Sequence, residues 1–82
     1  MGRIIAARVS LTERQVEVVE WMIRGLLVKE IAERMKISER TVIAFRGQAM
    51  ERMNARTGGH LVAKYIYEKL GIEFEPIRER RI

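Results

Sequence analysis

Between Leu11 and Leu70 the apolar residues return every three or four positions, the spacing of helical faces. Val16, Val19 and Ile23 lie on one stripe, with Val18 and Met22 beside it. This predicts a first helix that starts at Thr12. Thr12-Glu13-Arg14-Gln15 has the form of a capping box, in which Gln15 returns the bond made by the Thr hydroxyl. Gly25 ends that helix, because the left-handed conformation costs glycine little. A second helix runs from Val28 to Met35 with Ile31, Ala32 and Met35 inward. Lys36-Ile37-Ser38 turns the chain. Ser38 is a good N-cap and Glu39 suits the positive end of the helix dipole. A third helix covers Glu39 to Met53, with Val42, Ala49 and Met53 inward and Asn54 as its stop. A fourth spans Gly59 to Leu70 and ends at Gly71. Leu61, Val62, Tyr65, Ile66 and Leu70 form its apolar side.

The predicted fold class is all-α: a four-helix domain over residues 11–71, with an N-terminal arm at 1–10 and a C-terminal tail at 72–82. Ile72-Glu73-Phe74-Glu75 alternates like a short strand, and Pro76 introduces the last residues. The tail reads equally as an extended strand or a flexible end, and so does the arm around Ile4 and Ile5. Two short helices joined by a tight turn, the second opening at a serine cap, form a helix-turn-helix. That geometry offers the start of the second helix to the DNA major groove. Any small helical bundle with one short connection has the same outline.

Composition narrows the chemistry. The chain has 82 residues and room for one domain. A chain of this size buries roughly 60% of its unfolded surface, so pairing would add stability. Cysteine is absent, which excludes disulfides and thiolate metal sites and fits a reducing cytosol. There is one histidine, His60, expected exposed in the first turn of the fourth helix, and no aspartate. No metal site, cofactor or enzymatic acid–base pair is expected. No apolar run approaches the ~20 residues that span a bilayer, and the start is too short and charged for a secretory signal. No membrane partner is expected. The net charge is +5 and the pI about 10.2; twelve of the sixteen basic residues are arginine. A small basic domain of this kind suits a polyanion.

Leu11-Thr12-x-Arg14-x-x-Glu17-Val18, followed by Gly25-Leu26-x-x-Lys29-Glu30-Ile31-Ala32-x-x-Met35-x-Ile37-Ser38-x-x-Thr41-Val42, resembles the LuxR/GerE/NarL-type DNA-binding domain. The likeness covers residues 11–66 without a gap. It implies a four-helix domain that binds double-stranded promoter DNA, in a cytoplasmic, nucleoid-associated protein encoded by a bacterium or phage. The chain has no room for the upstream domain that many relatives carry, so the expectation is a stand-alone regulator. The fourth helix often forms the dimer contact in relatives, which points to a homodimer through Leu61, Val62, Tyr65, Ile66 and Leu70.

If Val42, Ala49 and Met53 face the core, then Arg40, Ile43, Ala44, Gly47 and Gln48 face outward and Arg46 sits on the shoulder. Arginine can read guanine and glutamine adenine, whereas Ile43 and Ala44 can meet only thymine methyls. Lys29, which matches the family's lysine in the second helix, would contact phosphate together with Thr41 and Arg40. Arg56 would reach the flanking backbone. The chain also departs from the family. Leu27-Val28 replaces a polar cap, at about 1 kcal/mol. Val42-Ile43-Ala44-Phe45 stands where Val-Lys-x-His is common, and Gly47 costs the helix about 1 kcal/mol relative to alanine. Tyr65 replaces a small residue and could block close pairing. The apolar Ile43-Ala44-Phe45 run carries the alternative: a helix-turn-helix module that docks on another regulator or on RNA polymerase. Sigma factors share the opening, but their inter-helix loop is longer.

Overall fold

The computed structural model describes residues 11–71, so the expected arm and tail lie outside the described residues. The order is α1 (Glu13–Ile23), α2 (Val28–Met35), α3 (Glu39–Arg52) and α4 (Gly58–Lys69), with no strand among the described residues. The bounds fall within a residue or two of those the pattern predicts.

Each start has its own chemistry. Thr12 closes the predicted capping box: its hydroxyl accepts from the Gln15 N–H at 3.2 Å, and Gln15 Oε1 accepts from the Thr12 N–H at 3.1 Å. Ser38 Oγ accepts from the Thr41 N–H at 3.0 Å. Thr57 Oγ1 accepts from the His60 N–H at 3.0 Å, while His60 Nδ1 accepts from the Arg56 N–H at 3.1 Å. His60 is therefore half-buried in a capping arrangement rather than freely exposed. At α2 the apolar Leu27 side chain has no acceptor, but Glu30 Oε1 accepts from the Leu27 N–H at 2.8 Å. Half of the missing cap is restored by this return bond.

The first three helices end alike. The N–H of Leu26 bonds to the Trp21 carbonyl, that of Ile37 to Ala32, and that of Ala55 to Met50. These are the long bonds of Schellman motifs, which satisfy the last carbonyls of a helix. The left-handed residue is Gly25 (φ 87°) after α1, Lys36 (φ 57°) after α2 and Asn54 (φ 54°) after α3.

The core has two parts. Leu11, Val19, Ala49, Met53, Leu61 and Tyr65 form one beneath α4. Val18, Ile31, Ala32, Met35 and Val42 form the other beneath α2, with Phe45 and Trp21 packed on its edge. α1 and α3 contribute to both and form the spine. On α1 the inward side centres on Gln15, Val18 and Val19. Val16 and Ile23 lie at its margins, so the expected Val16-Val19-Ile23 stripe is rotated from the true core line. At the close approach of α4 to α1, a Cβ on Gly58 would stand 3.3 Å from the Met22 methyl.

A polar knot ties α4 to α1. Glu20 Oε2 accepts from the Tyr65 hydroxyl at 2.6 Å and from Lys69 Nζ at 2.8 Å. Partial burial pushes the Glu20 carboxyl up, but the bonds from Lys69 and Tyr65, with the positive charge of Lys69 and Arg24, outweigh it. The net position is below the ordinary carboxylate value. Burial, and then the neighbouring Glu20 carboxylate, push the Tyr65 hydroxyl well above its ordinary value. No helix among the described residues is long and apolar enough to cross a membrane.

Candidate nucleic-acid interface

The turn between α2 and α3 is held from both sides. The Schellman motif at Lys36 redirects the chain, and Ser38 caps the next helix two residues later. Val42 is fully buried against Ile31, which fixes the rotation of α3. The opposite ridge of α3 then faces outward. Arg40, Ala44, Gly47 and Glu51 follow one another along it at three- and four-residue steps, and all are exposed. Ile43, 48% exposed, borders one side. Gln48, also exposed, borders the other.

Two small residues, Ala44 and Gly47, thus occupy the middle of the ridge. A Cβ on Gly47 would meet nothing within 4 Å. The protein's own packing does not require glycine there, and the gap opens toward whatever the ridge meets. Lys29, in the first turn of α2, lines a shallow depression with Lys36, Ser38 and Glu39. Lys29 therefore shares a surface with the start of α3. Lys36 joins it, a cation the sequence reading treated only as part of a turn.

Thr41 is half-buried and its Oγ1 lies 2.8 Å from Ser38 Oγ, so its hydroxyl is already engaged in the cap. Arg46 is half-buried, on the inner side of the expected shoulder. It lies four residues after Val42 and three before Ala49, both fully buried, so it is carried to the inner flank of α3. There it lines an apolar groove of about 450 Å³ with Met22, Leu27, Val28, Gly58 and Val62. Arg56 is exposed just before the Thr57 cap, on the far side of α3 from Lys29 in chain order. Glu51 was missed by the sequence reading although its spacing from Ala44 and Gly47 carries the signal. An acid on this ridge repels phosphate and can accept from cytosine N4. Phe45 packs on the α2 half of the core, so the Ile43-Ala44-Phe45 run does not form one exposed apolar patch.

The expected pairing side of α4 also divides. Leu61 is fully buried and Tyr65 is 2% exposed, both in the domain's own core. Tyr65 points inward because its hydroxyl reaches Glu20, so its bulk does not stand on the outer face. Val62 and Ile66 are half-buried and Leu70 is 66% exposed; these three retain outer surface.

The single tryptophan carries two cations: the guanidinium groups of Arg24 and Arg34 lie 5.2 and 5.1 Å from the Trp21 ring centroid. This holds part of the basic charge on the α1–α2 side, away from the α3 ridge. Among the described residues no cluster of His, Cys, Asp or Glu is arranged to hold a metal.

Residues 9–65, well over half of the chain, match the GerE family, the bacterial regulatory proteins of the luxR family. No curated protein and no solved structure matches the chain.

Proposed function

Since this chain belongs to the LuxR family of bacterial regulatory proteins, whose helix-turn-helix domains bind DNA, we propose that it regulates transcription by laying α3 in the major groove of promoter DNA. The observation that carries this reading is the exposed α3 ridge, held at a capped turn beside Lys29 and Lys36. Arg40, Ala44 and Gly47 approach the bases, with Ile43 and Gln48 at the margins. Lys29, Lys36 and Arg40 contact phosphate, Thr41 adds a hydroxyl from the cap, and Arg56 reaches the flanking backbone. With few hydrogen-bonding groups on the ridge, phosphate contacts supply most of the affinity and base discrimination is modest. Arg46 contributes from the flank. Two copies pair through Val62, Ile66 and Leu70, which places two α3 helices one DNA turn apart.

The test is a fluorescence anisotropy titration on duplex DNA over a salt series. Affinity falls steeply with salt, with a log–log slope of about −0.9 for each phosphate contact. Absence of binding to any duplex pool at low salt overturns the reading. The alternative of docking on another regulator or RNA polymerase loses support because Phe45 packs on the edge of the core and leaves Ile43 and Ala44 without a continuous apolar patch.

A further inference from the structure

Gln15 is the one polar residue buried in the core among the described residues, at 4% exposure. Its position in a chain of hydrogen bonds fixes which way its amide points. The Thr12 backbone N–H can only donate, and it donates to Gln15 Oε1 at 3.1 Å. The other end of the Gln15 amide is therefore Nε2, which can also only donate. It donates across the core edge to Gln48 Oε1 at 3.1 Å. Gln48 is on the margin of the exposed α3 ridge. With its oxygen turned back to Gln15, the end left for an outside partner is Nε2 with its hydrogens.

We propose that Gln15 is a positioning residue that sets the polarity of Gln48, so that Gln48 meets DNA as a hydrogen-bond donor and selects an acceptor on the base edge. The proposal rests on the reading that α3 enters the major groove. Guanine offers two acceptors there and thymine one; cytosine offers a donor, and adenine sets a donor beside its one acceptor. Paired reading of adenine needs the glutamine oxygen and nitrogen side by side on the base. The bond to Gln15 engages one lone pair of that oxygen and turns it inward, so the outward NH2 group favours guanine O6 or thymine O4 and is opposed by the N6 donor of the adenine that an unconstrained glutamine would read.

The decisive substitution changes one atom's chemistry inside the core. In Gln15→Glu, read at a pH high enough to keep the buried acid ionised, the carboxylate still accepts from Thr12, preserving the cap, but presents only acceptors to Gln48. Gln48 then turns its nitrogen inward and its oxygen outward. Selection from randomised duplexes, followed by competition titrations, should show guanine or thymine at one base pair for the natural protein. Gln15→Glu should move that position to a donor base, cytosine or adenine, by roughly 5- to 150-fold, the range of a good base contact. Repulsion of the phosphates by the added charge falls on all sequences alike. Gln48→Ala should erase the preference at the same position. Gln15→Met, which keeps volume and loses the relay, should relax it without inversion.

Side-chain amide NMR of the DNA-free protein gives a second readout. The Gln15 amide protons should be protected from exchange and those of Gln48 exposed, with Gln48 becoming protected in Gln15→Glu. Protected Gln48 protons in the natural protein would overturn the proposal, as would an unchanged base preference in Gln15→Glu. So would a preference that survives Gln48→Ala. If the natural protein binds no duplex while the NMR pattern holds, the DNA reading fails and the relay stands as geometry alone.

Discussion

The two halves of the core are closed by different forces. Beneath α4, apolar packing is joined by directional bonds: Tyr65 and Lys69 to Glu20, and Lys64 Nζ to the Met53 carbonyl at 2.7 Å. α4 has a full N-cap. Beneath α2, the buried cluster is apolar throughout, and the eight-residue helix above it has half a cap. The α2 half nevertheless orients the start of α3. The seating of α2 against α3 therefore depends on shape and volume more than on hydrogen bonds, and the part of α3 toward α4 is the more firmly tied.

The largest test of this contrast is a pair of truncations. Ile31 is 1% exposed and Leu61 fully buried. Ile31→Ala and Leu61→Ala should each cost about 2–5 kcal/mol in urea unfolding, the range for buried aliphatic residues cut to alanine. They should differ in where the structure opens. In Ile31→Ala the α2 amides should exchange well ahead of the global rate, because beside its apolar packing that helix is tied to α1 only by the weak stacking of Arg34 on Trp21 among the described residues. In Leu61→Ala the bonds to Glu20 should keep α4 amides near the global rate. Equal local opening of α4 and α2 in their respective variants would remove the distinction.

Tyr65→Phe tests the polar side, with an expected loss of about 1–2 kcal/mol at neutral pH, since Glu20 keeps its bond to Lys69. The pH dependence has a definite sign. Glu20 titrates lower in the folded protein than its ordinary 4.5, so its contribution is present above that value and lost as pH falls through the folded one. Tyr65 titrates higher than its ordinary 10.0, so its contribution is full below that and lost as pH rises through the folded value. Tyr65→Phe should reduce the alkaline loss and weaken the acid one. An unchanged stability profile between about pH 3 and 11, which reaches past the ordinary values of both groups, would show that the knot is not formed in solution.

Gly47→Ala probes the spine where the halves meet. The position is open, so the substitution should stabilise α3 by about 1 kcal/mol. If the α3 backbone approaches DNA closely at this point, the same variant should bind DNA more weakly. A variant that is more stable and binds as before would show that the gap is not used.

The helices were legible because their signals are local. Thr12, Ser38 and Gly25 act within one turn, and the three- and four-residue rhythm marks the inner faces. What escaped required knowledge of which helix lies opposite. Gln15 is polar, and its place three residues before Val18 and four before Val19 shows only that it faces inward; its partner on α3 is 33 positions away. Tyr65 was assigned to an outer face because the apolar side of α4 is wide. Its hydroxyl finds Glu20 45 positions back. Arg46 was placed on the shoulder from the register of α3 alone, and the groove it borders with Met22 and Val62 depends on how α1 and α4 pack.

The smallest expected effect uses the same backbone motif once in each half. Lys36 closes α2 at φ 57° and Asn54 closes α3, on the side toward α4, at φ 54°. A side chain with a Cβ is strained in this conformation, and asparagine is strained less than lysine because its short polar chain tolerates it. Glycine relieves the strain but adds freedom to the unfolded chain, which offsets part of the gain. Lys36→Gly should therefore stabilise the protein by about half a kcal/mol, and Asn54→Gly by less. The two substitutions also separate on DNA. If Lys36 touches phosphate beside Lys29, its removal should weaken all sequences equally and reduce the log–log salt slope by about 0.9, whereas Asn54→Gly should leave the slope unchanged. Equal gains in stability would show that Lys36 carries no extra strain. An unchanged salt slope for Lys36→Gly would place the α2–α3 turn off the phosphate backbone and leave Lys29 to anchor that side.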